Sequence, residues 1–173
     1  MVFGSFKVDY QFGIEQEKRV YEVLKQSKLR KNLEHSANPR APWDFYSKRA
    51  VYELKSRRML STEYDETLID YRKIENAIEA ESQGLRSYFL FNFQDGVYYV
   101  KFDYGLFLTF RTEYSQFKPR SDKVSLPSKR IFIPISYLRR IITWGAEGSE
   151  EGGKEMTANE SALPTCSALP VNV

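Results

Sequence analysis

Asp44, Glu53 and Lys55 are the residues of this 173-residue chain whose types and spacing point most directly to chemistry. Two short strands joined by a tight basic turn at Lys48-Arg49 would pair Ser47 with Ala50 and Tyr46 with Val51, setting Asp44 opposite Glu53. Side chains alternate across a strand, so Glu53 and Lys55 share a face while Tyr52 and Leu54 take the other. Two carboxylates and an ammonium then meet on one small patch of sheet. Phosphodiester hydrolysis needs a nucleophilic water, neutralisation of the charge that develops on phosphorus, and help for the leaving oxygen. Mg²⁺ provides these and prefers one or two carboxylates with waters and phosphate oxygens. Asp44 and Glu53 are the right hard ligands, and the backbone carbonyl of Leu54 completes the protein share. Lys55 is placed to hold or deprotonate the attacking water. Mg²⁺ is the expected cofactor, with Mn²⁺ as a substitute.

The elements that must position these groups follow from periodicity. Residues 1–12 read as an extended lead-in, and Gly13 precedes a helix over roughly 14–28 with Ile14, Val20, Tyr21, Val23 and Leu24 on one stripe. Glu17 falls in the middle of that stripe. A carboxylate on a buried face costs several kcal/mol unless paired or bound to a cation. Two readings stay open there: a salt bridge to a basic neighbour, or a further carboxylate for the site.

Residues 28–41 read as a polar connector carrying the lone His35, which precedes the motif loop; approach to the site and a surface position are both open, the surface being the expectation. After the two strands, Tyr64, Leu68, Tyr71, Ile74 and Ile78 predict a long helix over 63–83. Thr62 and Asp65 resemble a capping box at its start, and Gly84 is a natural stop. Residues 88–93 and 97–102 read as a hairpin around Asp95-Gly96, residues 106–110 and 131–134 as strands, and 137–142 as a short helix. The segment 111–130 reads as a long irregular loop rich in arginines and aromatics, as DNA-facing loops are, and equally readable as a dimer arm.

Composition sets the frame. Twelve Phe, twelve Tyr and two Trp argue against a largely disordered chain, and 173 residues suit one domain. Residues 1–144 hold 25 Lys+Arg against 18 Asp+Glu, a net of +7, whereas the Gly-, Glu- and Ser-rich segment 145–173 carries −4. A basic folded body suits a polyanion such as nucleic acid. The expected organisation is one α/β (α+β) domain over 1–144, a mixed central sheet flanked by helices, followed by a flexible, disordered acidic tail over 145–173. One cysteine excludes a disulfide framework and a Cys-based zinc site, and one histidine argues against a His-rich metal site. No apolar run reaches membrane length and no basic-then-apolar leader opens the chain, so an intracellular location, cytoplasmic or nuclear, is expected.

Asp44 followed by Glu53-Leu54-Lys55 resembles the signature of the PD-(D/E)XK nuclease superfamily. Pro42-Trp43-Asp44 departs from it by the one residue that separates proline from aspartate. A Glu-bearing helix before the motif and a long helix after it also fit, and Gly13 with Glu17 resembles the opening of the archaeal Holliday junction resolvase helix. The resemblance covers about residues 12–142 as a pattern of elements, with four or five residues carrying the chemical match. It implies a restriction-endonuclease-like core and Mg²⁺-dependent cleavage of DNA, structure-specific in repair, recombination or restriction. Asp44, Glu53, Lys55 and Glu17 would be catalytic, with Asp44, Glu53, Leu54 and Glu17 around the metal. Lys48, Arg49, Arg57, Arg58, Lys73 and Arg120 are candidate DNA contacts, and a solvated basic face is the alternative for Arg57, Arg58 and Lys73. A homodimer and recruitment of a protein partner by the tail stay open. The competing reading is a catalytically inactive nucleic-acid-binding or scaffold protein on the same fold.

Overall fold

The computed structural model describes residues 6–26, 32–38, 41–115 and 128–145. Its architecture is mixed α/β, as the element order predicts. A six-stranded sheet has the order β1-β2-β3-β5-β6-β9, and a three-stranded sheet the order β4-β8-β7. The strands of the large sheet are β1 (Glu34–His35), β2 (Phe45–Ser47), β3 (Ala50–Ser56), β5 (Arg86–Phe93), β6 (Gly96–Lys101) and β9 (Arg139–Thr143). The small sheet is built from β4 (Glu66–Asp70), β7 (Thr112–Ser115) and β8 (Ser128–Pro134). The helices are α1 (Phe6–Gln26), α2 (Tyr71–Ser82) and α3 (Tyr104–Phe107). No helix of the described residues is long and apolar enough to cross a membrane.

Within the large sheet β3 and β5 pair in parallel, and every other neighbouring pair is antiparallel. A parallel pair needs a crossover, which β4 and α2 supply between them. Both strands are covered on both faces. On one face Ala50, Tyr52, Leu54, Tyr88 and Leu90 pack with Val20 and Leu24 of α1. On the other, Val51, Phe89 and Phe91 pack with Ile74, Ala77 and Ala80 of α2 and with Ile69, Ile131 and Ile133 of the small sheet. Ala77 and Ala80 are small, which lets α2 lie close on β5.

The β2–β3 hairpin has the expected register, with Phe45 opposite Tyr52, Tyr46 opposite Val51 and Ser47 opposite Ala50. Other elements differ from expectation. Helix α1 begins at Phe6, so the lead-in is helical from there on; the Gln11 amide donates to Glu15 Oε1 at 2.9 Å across Gly13 and supports the extra turns. The connector contains β1, whose Glu34 and His35 pair with Tyr46 and Phe45.

The long helix expected over 63–83 is shorter. Thr67 and Ile69 are buried in alternation with Leu68 between them, so this stretch runs as β4 against β8. Asp70, not Thr62, caps α2 by accepting from the Arg72 N–H at 2.9 Å. Gly84 does end the helix, at φ +78°.

Residues 104–107 form α3 rather than a strand. Asp103 caps it through the Leu106 N–H, and Phe107 and Phe110 are both buried, a spacing of three that a strand would place on opposite faces. The ends of the 111–130 segment pair as β7 and β8, and residues 116–127 lie outside the described residues. The helix expected over 137–142 is a 3-10 turn at Ile135–Tyr137 followed by β9, which completes the hydrogen bonding of β6. Trp144 is buried against the first face, and the segment 146–173 also lies outside the described residues.

Candidate active site

Strand β3 puts its chemistry at its C-terminal end. Glu53 and Lys55 share the face of Val51, and Lys55 Nζ donates to Glu53 Oε1 at 2.6 Å. Glu53 is 1 % exposed and the Lys55 side chain 34 %, so a buried carboxylate holds an ammonium group that still reaches the surface. Its second oxygen, Oε2, accepts from Lys73 Nζ at 2.7 Å, and Lys73 also donates to the Pro42 carbonyl at 3.0 Å. The two ammonium groups offset the desolvation of one carboxylate, which alone would be too costly to bury.

Asp44 lies just before β2, across the strand pair from Glu53. Its backbone N–H donates to the Tyr52 carbonyl at 3.0 Å and its Oδ2 accepts from the Leu54 N–H at 2.6 Å. Both bonds fix the carboxyl beside the end of β3. Burial, then the nearby Glu53 charge and to a lesser extent Glu17, push the Asp44 pKa up to about 6, against the lowering effects of the Leu54 N–H and Lys55. A carboxyl so placed exchanges its proton close to neutrality.

Glu17 enters from α1. It is 2.5 Å from His35 Nε2, and the His35 ring packs against both Tyr21 and Phe45, which also stack on each other. The partner that the half-buried Glu17 requires is therefore the lone histidine, which approaches the site instead of taking the expected surface position. The signal available was the β1 pairing: once residues 34–35 pair with 45–46, His35 sits beside the strand that follows Asp44.

These groups border a cleft of about 520 Å³ lined by residues that include Glu17, Asp44, Leu54, Lys55, Arg57 and Arg58. Glu53 does not line this cleft and meets it through Lys55. Arg58 is exposed and lies over the Phe12 ring at 4.2 Å. Arg57 lines the cleft, but its guanidinium turns toward β4, donating to the Leu68 carbonyl and to Thr67 Oγ1. Burial and the neighbouring Arg130 depress its pKa.

The other expected DNA contacts are placed differently. Lys73, 16 % exposed at its side chain, is engaged by Glu53 and Pro42 instead of reaching outward. Lys48 and Arg49 are exposed in the β2–β3 turn, at the opposite end of β3 and about 20 Å of strand away from Lys55. Arg120 lies outside the described residues.

In donor chemistry Asp44 and Glu53 fit a hard divalent cation. The raised pKa of Asp44 marks a carboxylate disfavoured first by burial and then by the Glu53 charge, a strain that such a cation would relieve. Glu53 fits less directly, since each of its oxygens already accepts from an ammonium group. Among the described residues no three His, Cys, Asp or Glu side chains come together as a ready metal-ligand group. Any ion here would therefore rest on Asp44, with backbone, water and phosphate oxygens making up the rest. Compared with known proteins, the chain matches no family model and no curated relative.

Proposed function

We propose that this chain is a Mg²⁺-dependent DNA endonuclease of the PD-(D/E)XK type. The observation that carries the reading is the placement of Asp44, Glu53 and Lys55 around the end of a single central strand, with Asp44 and Lys55 opening into a cleft edged by Arg57 and Arg58. Support also comes from the helix that brings Glu17 to the same cleft, and from the crossover that returns the chain to a parallel partner strand.

Mg²⁺, when bound, supplies Lewis-acid stabilisation of the phosphoryl oxygens and lowers the pKa of a coordinated water. Asp44 would hold the ion. Lys55 has three N–H donors, one of them directed to Glu53; others can point to a water or a phosphate oxygen in the cleft. Glu53 thus fixes the ammonium by tethering it. Arg58 at the rim meets the phosphate backbone, and Glu17, paired with His35, lines the same cleft.

The test is a panel of single-stranded, duplex, flap and four-way-junction DNA with Mg²⁺ or Mn²⁺. Cleavage should depend on the metal and disappear in folded Asp44→Asn and Lys55→Ala proteins. Unchanged cleavage in those variants would remove this site from the reaction.

One observation favours a second reading. Both Glu53 oxygens are already engaged by lysines, which suits a core that retains the charges for structure and binds nucleic acid without cutting it. That protein would show salt-dependent DNA binding and no turnover with any divalent ion.

A further inference from the structure

Beyond the Phe12–Arg58 pair lies a second cleft of about 410 Å³, within the size range of small-ligand sites. It shares Phe12, Arg57 and Arg58 with the acidic cleft, so the two adjoin. Two arginine–aromatic pairs border it, the Arg58 guanidinium carbon over the Phe12 ring at 4.2 Å from its centroid and that of Arg19 over the Trp144 ring at 4.1 Å. Its floor is a buried amide network. Asn92, 3 % exposed, donates to Gln16 Oε1 at 3.0 Å and accepts from the Trp144 indole N–H at 2.8 Å.

We infer that this second cleft takes an unpaired nucleobase next to the phosphate at Asp44 and Lys55, so that the substrate is DNA with a single-stranded or displaced segment. The inference rests on the nuclease reading for its substrate class. A guanidinium held over an aromatic ring by cation–π attraction is a planar cation on which any base can stack. Bases inside a duplex expose only their edges, so only one that has left the stack can lay its face there. The Asn92 network holds Gln16 and Trp144 in place from below, which keeps the site formed before a base arrives. Position reinforces the chemistry: Arg58 borders both clefts, whereas Arg19 borders only the second.

The test is fluorescence anisotropy in EDTA, where no turnover occurs, with a blunt DNA duplex and the same duplex bearing a short single-stranded extension. The wild-type protein should bind the extended duplex about tenfold more tightly, the size expected for one stacked base. Arg19→Lys and Arg58→Lys keep the charge and remove the plane. Each should cut that preference to within about twofold, and Arg19→Lys should leave affinity for the blunt duplex similar. No preference in the wild-type protein, or a preference that survives both substitutions, would overturn the inference. Cleavage with Mg²⁺ is read separately. An intact preference with no cleavage of either DNA would sink the nuclease reading alone, and cleavage without preference would sink the base site alone.

Discussion

Lys73 Nζ lies 2.7 Å from Glu53 Oε2, so the crossover helix holds the buried carboxylate from one side while Lys55 holds it from the other at 2.6 Å. The two bonds are unequal in exposure, 16 % for the Lys73 side chain against 34 % for that of Lys55. Water can replace Lys55 more easily than Lys73. Lys73→Ala should therefore cost about 3 kcal/mol of stability, the usual penalty for stranding a buried charge, and Lys55→Ala clearly less. Urea unfolding of the two variants measures the difference, and equal losses would show the bracket to be symmetric.

Asp44 sets a pH dependence. Its carboxyl has a folded pKa of about 6, above the ordinary 3.8, so between those values the folded state binds the proton more tightly than the unfolded chain. Its contribution to stability is largest below about pH 4 and falls away as pH rises toward 6. Asp44→Asn should remove this slope and stabilise the protein at pH 7 by an amount on the order of 2 kcal/mol. Urea unfolding in EDTA across that range, compared between the two proteins, reads it. A wild-type curve parallel to that of the variant would refute the assignment.

Relief of that same charge predicts a metal response. Mg²⁺ in excess should raise the melting temperature of the wild-type protein at pH 7, because a ligand that binds the folded state stabilises it. The rise should vanish in Asp44→Asn and shrink at pH 5, where a proton occupies the carboxyl. Thermal melts with and without Mg²⁺ check this without reference to turnover.

Gly96 opens β6 under the backbone of β9. A Cβ built there would stand 2.3 Å from the Ile142 carbonyl oxygen, a backbone atom that cannot swing aside. Gly96→Ala should cost about 1–3 kcal/mol or more by forcing the two strands apart. A thermal melt unchanged from wild type would mean that β9 shifts freely on β6.

The hairpin and its charges were legible in the sequence because a two-residue turn fixes register, and register fixes which side chains share a face. Glu17 was legible as an anomaly on an apolar stripe, although its partner was not, since β1 is two residues long and leaves almost no pattern. Lys73 looked like a surface cation for a related reason. Its partner is 20 residues earlier in the chain, and only the packing of α2 on β5 brings the two together. The helix over 63–83 was overextended because Leu68, Tyr71 and Ile74 satisfy a helical period by coincidence. Burial of Thr67 and Ile69 against β8, a pairing more than sixty residues apart, overrides that local preference. Residues 104–107 went the other way: a local aspartate cap and two phenylalanines three apart turned an apolar run into a helical turn.

The Asn92 amide has a consequence for motion. Through Gln16 it reaches 76 residues back to α1, and through Trp144 it reaches 52 residues forward to the last described turn of the chain. Early and late segments of the fold thus share one fastener near the C-terminal end of β5. Helix α1, and Glu17 with it, gains a tether that a peripheral helix would lack, so its opening should be cooperative with that of β9 rather than a private fraying. Amide exchange from the two should rise together when Asn92 is replaced by alanine, as in a clasp that releases both ends of a band at once.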